Sequence, residues 1–71
     1  MLHERLKECR NGKSMTQSET ARYLKIELRT YQRYEAGDRE PNASILARMA
    51  DLFEVSTDYL LGRIDPYEPH G

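Results

Sequence analysis

Arg29 and Arg33 stand four residues apart in the stretch LKIELRTYQRYEAGDREP, residues 24–41. On a helix, that spacing points two side chains the same way. At about 100° per residue, with Leu28 at zero, Gln32 falls at about 40°, Arg29 at about 100° and Arg33 at about 140°. Thr30, Tyr34 and Tyr31 fall on the opposite side, at about 200°, 240° and 300°. One side therefore offers a leucine, a glutamine and two guanidinium forks. The other offers two aromatic rings for packing inward. Each outer group has a partner among nucleic-acid base edges: arginine forks onto guanine O6 and N7, glutamine pairs with adenine N6 and N7, and leucine touches a thymine methyl. A good bidentate pair discriminates between bases by about 1–3 kcal/mol. On an arbitrary amphipathic helix the same set is more often a plain solvated face, so the rest of the chain decides.

The chain around this stretch reads as five short helices and no strand. Leu2, Leu6 and Cys9 predict a first helix over residues 2–11, ended by Asn11-Gly12, which both tolerate a left-handed cap. Thr16-Gln17-Ser18-Glu19 has the form of a capping box, with Met15 placed to staple the entry. About two helical turns follow, through Tyr23 or Leu24, and Lys25-Ile26-Glu27 breaks them. A third helix runs from Leu28 to about Ala36 and stops at Gly37. Residues 37–41 form a polar loop. Asn42, after Pro41, caps a fourth helix from Ala43 to about Phe53, which buries Leu46, Met49, Ala50 and Phe53. Ser56 caps a last short helix over residues 57–61, ended by Gly62. Residues 63–71 hold two prolines and no periodicity and read as a loose tail after a single domain over residues 1–62.

Seventy-one residues form one domain at most. A chain this short buries only about 60% of the surface it exposes when unfolded, and it often gains by pairing. Hydrophobic content of 38% and charged content of 32% fit a small helical globule rather than a disordered chain. No apolar run approaches the roughly 20 residues that a bilayer crossing needs. The start, MLHERLKECR, lacks the apolar stretch of a secretory signal, so a cytoplasmic location is expected. Cys9, the single cysteine, has no internal disulfide partner and reads as a small buried hydrophobe. His3 and His70 lie at opposite ends, and no metal-ligand spacing, phosphate loop or nucleophile motif occurs. No catalytic residue, metal or cofactor is expected. The formal charge of −1 hides an uneven distribution. Residues 1–50 hold ten Lys/Arg against seven Asp/Glu, giving +3, whereas residues 51–71 hold one against five, giving −4. Such asymmetry fits a polyanion facing the first two-thirds, though numbers this small also arise by chance.

Helix, three-residue turn, helix is the helix-turn-helix outline. The stretch TQSETARYLKIELRTYQRYEAGDREP resembles the lambda repressor and Cro-like helix-turn-helix family. Thr16-Gln17 opens the second helix, Ala21 follows, and Ile26 lies in the turn. Arg33-Tyr34-Glu35 and Gly37 close the third helix, and Pro41 follows the loop. Arg5-Leu6-Lys7-Glu8 and Arg10 fit the first helix, and Val55-Ser56, Asp58 and Leu60-Leu61 fit the end. The resemblance covers about residues 4–62 without a gap.

It implies an all-α, compact five-helix lambda-repressor-like DNA-binding domain with its helix-turn-helix at helices two and three. It further implies a sequence-specific transcriptional regulator, a repressor by preference. The third helix would enter the major groove of double-stranded DNA, and a homodimer would read a palindromic operator. Under that reading Leu28, Arg29, Gln32 and Arg33 read bases, with Arg33 on the border between base and phosphate. Gln17 takes the family's backbone contact, joined by Thr16, Lys25, Thr30, Arg39 and Asn42. Arg10 and Glu35 match positions that form a buried ion pair in some relatives. Tyr59, Leu60, Leu61 and Ile64 are expected as exposed apolar residues of the dimer surface. An antitoxin or anti-repressor that binds chiefly a protein partner through the same fold stays open.

The departures from the family pattern are specific. Lys25 stands where the turn has glycine, and its left-handed conformation would cost about 1 kcal/mol. Ala36 replaces an asparagine. Thr20 and Tyr31 replace a core leucine and a core isoleucine, small for large and large for small. Glu27 replaces the turn Ser or Thr. Its charge suits a helix N-terminus but repels an approaching phosphate; alternatively, its carboxylate accepts from a cytosine amino group.

Overall fold

Three side-chain caps set where helices begin in the computed structural model, which describes residues 1–64. The helices are α1 (Leu2–Gly12), α2 (Gln17–Leu24), α3 (Leu28–Ala36), α4 (Ala43–Phe53) and α5 (Thr57–Leu60). No strand occurs among the described residues. Thr16 starts α2 with a complete capping box. Its hydroxyl accepts from the Glu19 amide at 3.0 Å, and its own amide donates to the Glu19 carboxylate at 2.8 Å. Asn42 Oδ1 accepts from the Ile45 amide at 2.9 Å to start α4, and Ser56 Oγ accepts from the Tyr59 amide at 3.0 Å to start α5. Each cap contributes about 1 kcal/mol relative to alanine.

The core draws on every helix: Leu6 from α1, Ala21 and Leu24 from α2, Tyr31 and Tyr34 from α3, Met49, Ala50 and Phe53 from α4, and Leu60 from α5. α3 packs against both α1 and α2, while α5 joins α4 to α1. Thr20 and Tyr31 are both fully buried, as expected if a shortened α2 residue makes room for an enlarged α3 one. The buried Thr20 hydroxyl is satisfied by donating to the Thr16 carbonyl at 2.9 Å.

Two helix ends depart from the usual glycine rule. α2 stops on Lys25 (φ 59°) and α4 on Glu54 (φ 58°), both left-handed. In each, the next amide reaches back five residues, Ile26 to the Ala21 carbonyl and Val55 to the Ala50 carbonyl, both at 3.0 Å. Ile26 and Val55 pack against the core. This Schellman arrangement offsets the roughly 1–2 kcal/mol that a left-handed non-glycine residue costs.

The end of α1 differs from its sequence expectation. Asn11 and Gly12 remain helical, and the positive φ falls on Ser14, at 55°. Arg10 is the reason. Its carbonyl accepts from the amides of Lys13 at 3.1 Å and Met15 at 3.2 Å, and its guanidinium donates to the Met15 carbonyl at 2.9 Å. The chain is drawn round by Arg10, so the glycine has no turning role.

Leu60 also departs from expectation: it is fully buried rather than an exposed apolar residue. A one-turn helix that joins two neighbours aims one side chain into the gap between them, and in α5 that residue is Leu60. The chain beyond α5 is tied back to α1. Arg5 Nη1 donates to the carbonyls of Tyr59 at 2.6 Å and Ile64 at 2.9 Å, and its guanidinium lies 4.3 Å from the Tyr59 ring centroid. Of the expected tail, residues 65–71 lie outside the described residues.

Candidate nucleic-acid interface

Burial of Tyr31 and Tyr34 fixes how α3 is rotated, and that rotation decides what it presents outward. Leu28 (39% exposed), Arg29, Gln32 and Arg33 all lie on the solvent side. Arg29 and Arg33 share the wall of an open hollow of about 350 Å³ with Glu27, Thr30 and Arg39. Arg39 comes from the loop after α3, so the hollow joins the helix face to that loop. Three guanidinium groups against one carboxylate leave it formally at +2, a polyanion-facing charge.

A hydrogen-bonded chain runs from the interior to this face. Arg10 of α1 forks onto Glu35, with Nε to Oε2 at 2.6 Å and Nη2 to Oε1 at 3.1 Å, and their side chains are 12% and 5% exposed. Tyr31 Oη donates to Glu35 Oε2 at 2.5 Å. Gln17 Nε2, at the first position of α2, donates to Glu35 Oε1 at 3.1 Å. Gln17 Oε1 in turn accepts from Gln32 Nε2 at a long 3.4 Å. An ionised carboxylate only accepts. Glu35 thus turns the Gln17 amino group toward itself and the Gln17 oxygen toward Gln32. Among the described residues nothing else bonds the Gln32 oxygen or its second N–H, the acceptor-and-donor pair that matches adenine N6 and N7.

The electrostatics follow from the same contacts. Burial pushes the Glu35 carboxyl up, but hydrogen bonds from Arg10, Tyr31 and Gln17 outweigh it and hold the group below the usual carboxylate range. The bond to Glu35 raises Arg10 above its ordinary value. Burial first, and then Glu35, pushes the Tyr31 phenol up. Elsewhere, burial raises the half-buried Cys9 thiol.

The remaining expected residues divide by position. Thr16, Lys25 and Asn42 are exposed along the start of α2, the turn and the start of α4, and Gln17 and Thr30 are half-buried. The oxygens of Thr16 and Asn42 serve as caps, leaving the Thr16 hydroxyl proton and the Asn42 amino group to donate outward. Tyr59 and Ile64 are half-buried beside Arg5, and Leu61 is 39% exposed. These residues lie on α5 and the chain just after it, apart from the hollow. Among the described residues, no three His, Cys, Asp or Glu side chains gather to hold a metal ion.

Three roles were not read from the sequence. The Gln17–Glu35 bond and the Arg5 clamp join positions 18, 54 and 59 residues apart, with no local pattern to announce them. Arg48 Nη1 closes the end of α2 by donating to the Leu24 carbonyl at 2.9 Å. By contrast, the Tyr31–Glu35 bond was open to reading, since i and i+4 are neighbours on a helix.

A helix-turn-helix family model matches residues 6–60. The chain belongs to that family, of the lambda repressor and Cro-like kind. It is 41% identical over 61 residues to the SPbeta prophage-derived uncharacterized HTH-type transcriptional regulator YonR of Bacillus subtilis (strain 168), covering 86% of this chain and 56% of that protein. It is 42% identical over 62 residues to the HTH-type transcriptional regulator ImmR of the same organism, covering 87% and 49%. It is 37% identical over 62 residues to the cryptic phage CTXphi transcriptional repressor RstR of Vibrio cholerae, covering 87% and 55%. The chain thus spans about half the length of the curated relatives it matches.

Proposed function

We propose that the chain is a sequence-specific regulator of transcription, a repressor by preference, that lays α3 in the major groove of duplex DNA. The observation that carries this reading is the outward set Leu28, Arg29, Gln32 and Arg33 on a helix whose rotation is fixed by two buried tyrosines. Gln17, Thr16, Lys25, Thr30, Arg39 and Asn42 would hold the phosphates on either side. Relatives named as transcriptional regulators and a repressor support the role. Two copies would read half-sites of a palindrome about 34–36 Å apart, meeting through Tyr59, Leu61 and Ile64. Arg10 and Glu35 keep a structural role. No helix among the described residues is long and apolar enough to cross a membrane, and the reading places the chain in the cytoplasm, with a binding role and no catalytic step.

The test is a mobility-shift series on a duplex selected from a random pool. Arg29→Ala and Arg33→Ala should each weaken binding by about 1–3 kcal/mol. The logarithm of affinity should fall with the logarithm of salt at about −0.9 per phosphate neutralised. Unchanged affinity in the double variant would remove the mechanism. Glu27 and the formal charge of −1 favour a second reading, a protein-interaction module of the antitoxin or anti-repressor kind. That reading expects no retention on DNA and tight co-purification of a partner.

A further inference from the structure

We propose that Glu27 reads a cytosine, and so sets one position of the operator. The inference rests on the DNA-binding reading above and deepens it. Glu27 is the residue before α3, exposed, and lines the hollow together with Arg29, Thr30, Arg33 and Arg39. Its side chain accepts no capping bond from α3. Among the described residues it forms no ion pair, although three arginines share its hollow. The other caps from α2 onward, Thr16, Asn42 and Ser56, each bond their own helix. The carboxylate is therefore not committed to holding the fold and stands among the side chains that face the groove.

In DNA the surrounding phosphates repel a carboxylate, and it gains only where it meets a donor. The donors on the major-groove edge are cytosine N4 and adenine N6. Adenine sets its N7 acceptor beside N6, so a carboxylate there faces a lone pair. Cytosine offers N4–H with no acceptor on the same base. Across one G·C pair the groove shows two acceptors, guanine N7 and O6, and then the cytosine N4 donor. An arginine and a glutamate side by side present the complementary order, two donors and an acceptor. The hollow supplies that combination, with Glu27 on the cytosine and Arg29 or Arg33 on its guanine.

The experiment selects binding duplexes from a random pool with the full chain and with Glu27→Gln, then titrates single-base variants by mobility shift. One position should demand cytosine, with other bases binding about 5- to 150-fold more weakly, the range that a good polar contact supplies. N4-methylcytosine at that position keeps its Watson–Crick pair but places the methyl where the free N–H was, and should lose the glutamate's share of that factor. Glu27→Gln should lose the glutamate's share of that discrimination and bind adenine there with a smaller penalty, the remainder being the arginine's hold on the paired guanine. The proposal is overturned if the variant discriminates at that position as strongly as the unaltered chain, or if it binds every duplex more tightly by one common factor with a steeper salt dependence. The latter result would make Glu27 a repulsive charge and nothing more. If the unaltered chain selects no duplex, the DNA-binding reading itself fails, a result distinct from either of these.

Discussion

At the C-terminal end of α3, Glu35 is 5% exposed and accepts from Arg10, Tyr31 and Gln17. At the other end, Glu27 is exposed and, among the described residues, accepts from no side chain. The same functional group serves two purposes because of what surrounds it. Desolvation makes Glu35 costly unless every partner is in place, and so its partners form a connected network. Solvent asks nothing of Glu27, which leaves its carboxylate free for a ligand. The difference separates residues that hold α3 in position from residues that α3 holds out.

The largest break in this comparison comes from removing Glu35. Glu35→Ala leaves the Arg10 guanidinium buried without its counter-charge and strips an acceptor from Tyr31 and Gln17. Losing one partner of a buried pair costs about 3–5 kcal/mol. That is comparable with the whole stability of a domain this small, about 0.05–0.15 kcal/mol per residue. Circular dichroism in a urea titration should show a chain close to unfolded in buffer. Glu27→Ala should change the unfolding free energy by no more than about 0.5 kcal/mol.

Acid separates Glu35 more gently. Its folded carboxyl is held below the usual range, so its stabilising effect is present above the unfolded value of about 4.3 and is lost as pH falls through the lower folded value. Glu35→Gln should therefore be less stable than the unaltered chain at pH 7 but lose less on acidification. Some acid sensitivity should survive in the variant. The backbone bond from Thr16 also lowers Glu19, and the bond from Lys13 lowers Glu54.

How much of this arrangement was legible differs along α3 itself. The orientation of Tyr31 and Tyr34 inward, and of Arg29, Gln32 and Arg33 outward, follows from helical period alone. So do the starts at Thr16, Asn42 and Ser56, where a cap bonds an amide three residues on. The Arg10–Glu35 contact came through family resemblance, since no periodicity pairs residues 25 apart. The Gln17 bond to Glu35 was not legible at all. Nor was the turn at Ser14, because a guanidinium from the preceding helix took the place of the glycine's backbone freedom. Leu60 misled because a one-turn helix has too few residues to show which side is inward. Local chemistry repeats and can be read; contacts across the chain depend on how the helices meet.

A smaller effect sharpens the comparison from the Glu27 side. Position 27 is an N-cap whose side chain does not cap. Glu27→Ser should supply the missing bond and raise stability by about 1 kcal/mol, read as a later urea midpoint. The same variant should discriminate less sharply at the cytosine position. Stability gained where selectivity is lost would identify the glutamate as a functional choice made against the local preference of the helix.

The smallest expected number is the coupling between the two ends. Glu27 and Glu35 lie eight residues apart, at the N-cap and near the end of α3, about 12 Å at 1.5 Å per residue, and among the described residues they share no hydrogen-bond partner. Charges this far apart near a surface are screened within about a Debye length. Glu27→Ser and Glu35→Gln should thus add to within about 0.3–0.5 kcal/mol in a double-mutant cycle. Gln17→Ala combined with Glu35→Gln is the contrasting pair, because Gln17 bonds Glu35 directly, and its coupling should fall in the range of about 0.5–3 kcal/mol seen for contacting residues. If the distant pair coupled as strongly as the touching one, α3 would be responding as a unit to charge at either end. The division into a holding glutamate and a reading glutamate would then fail, even with both single variants behaving as expected.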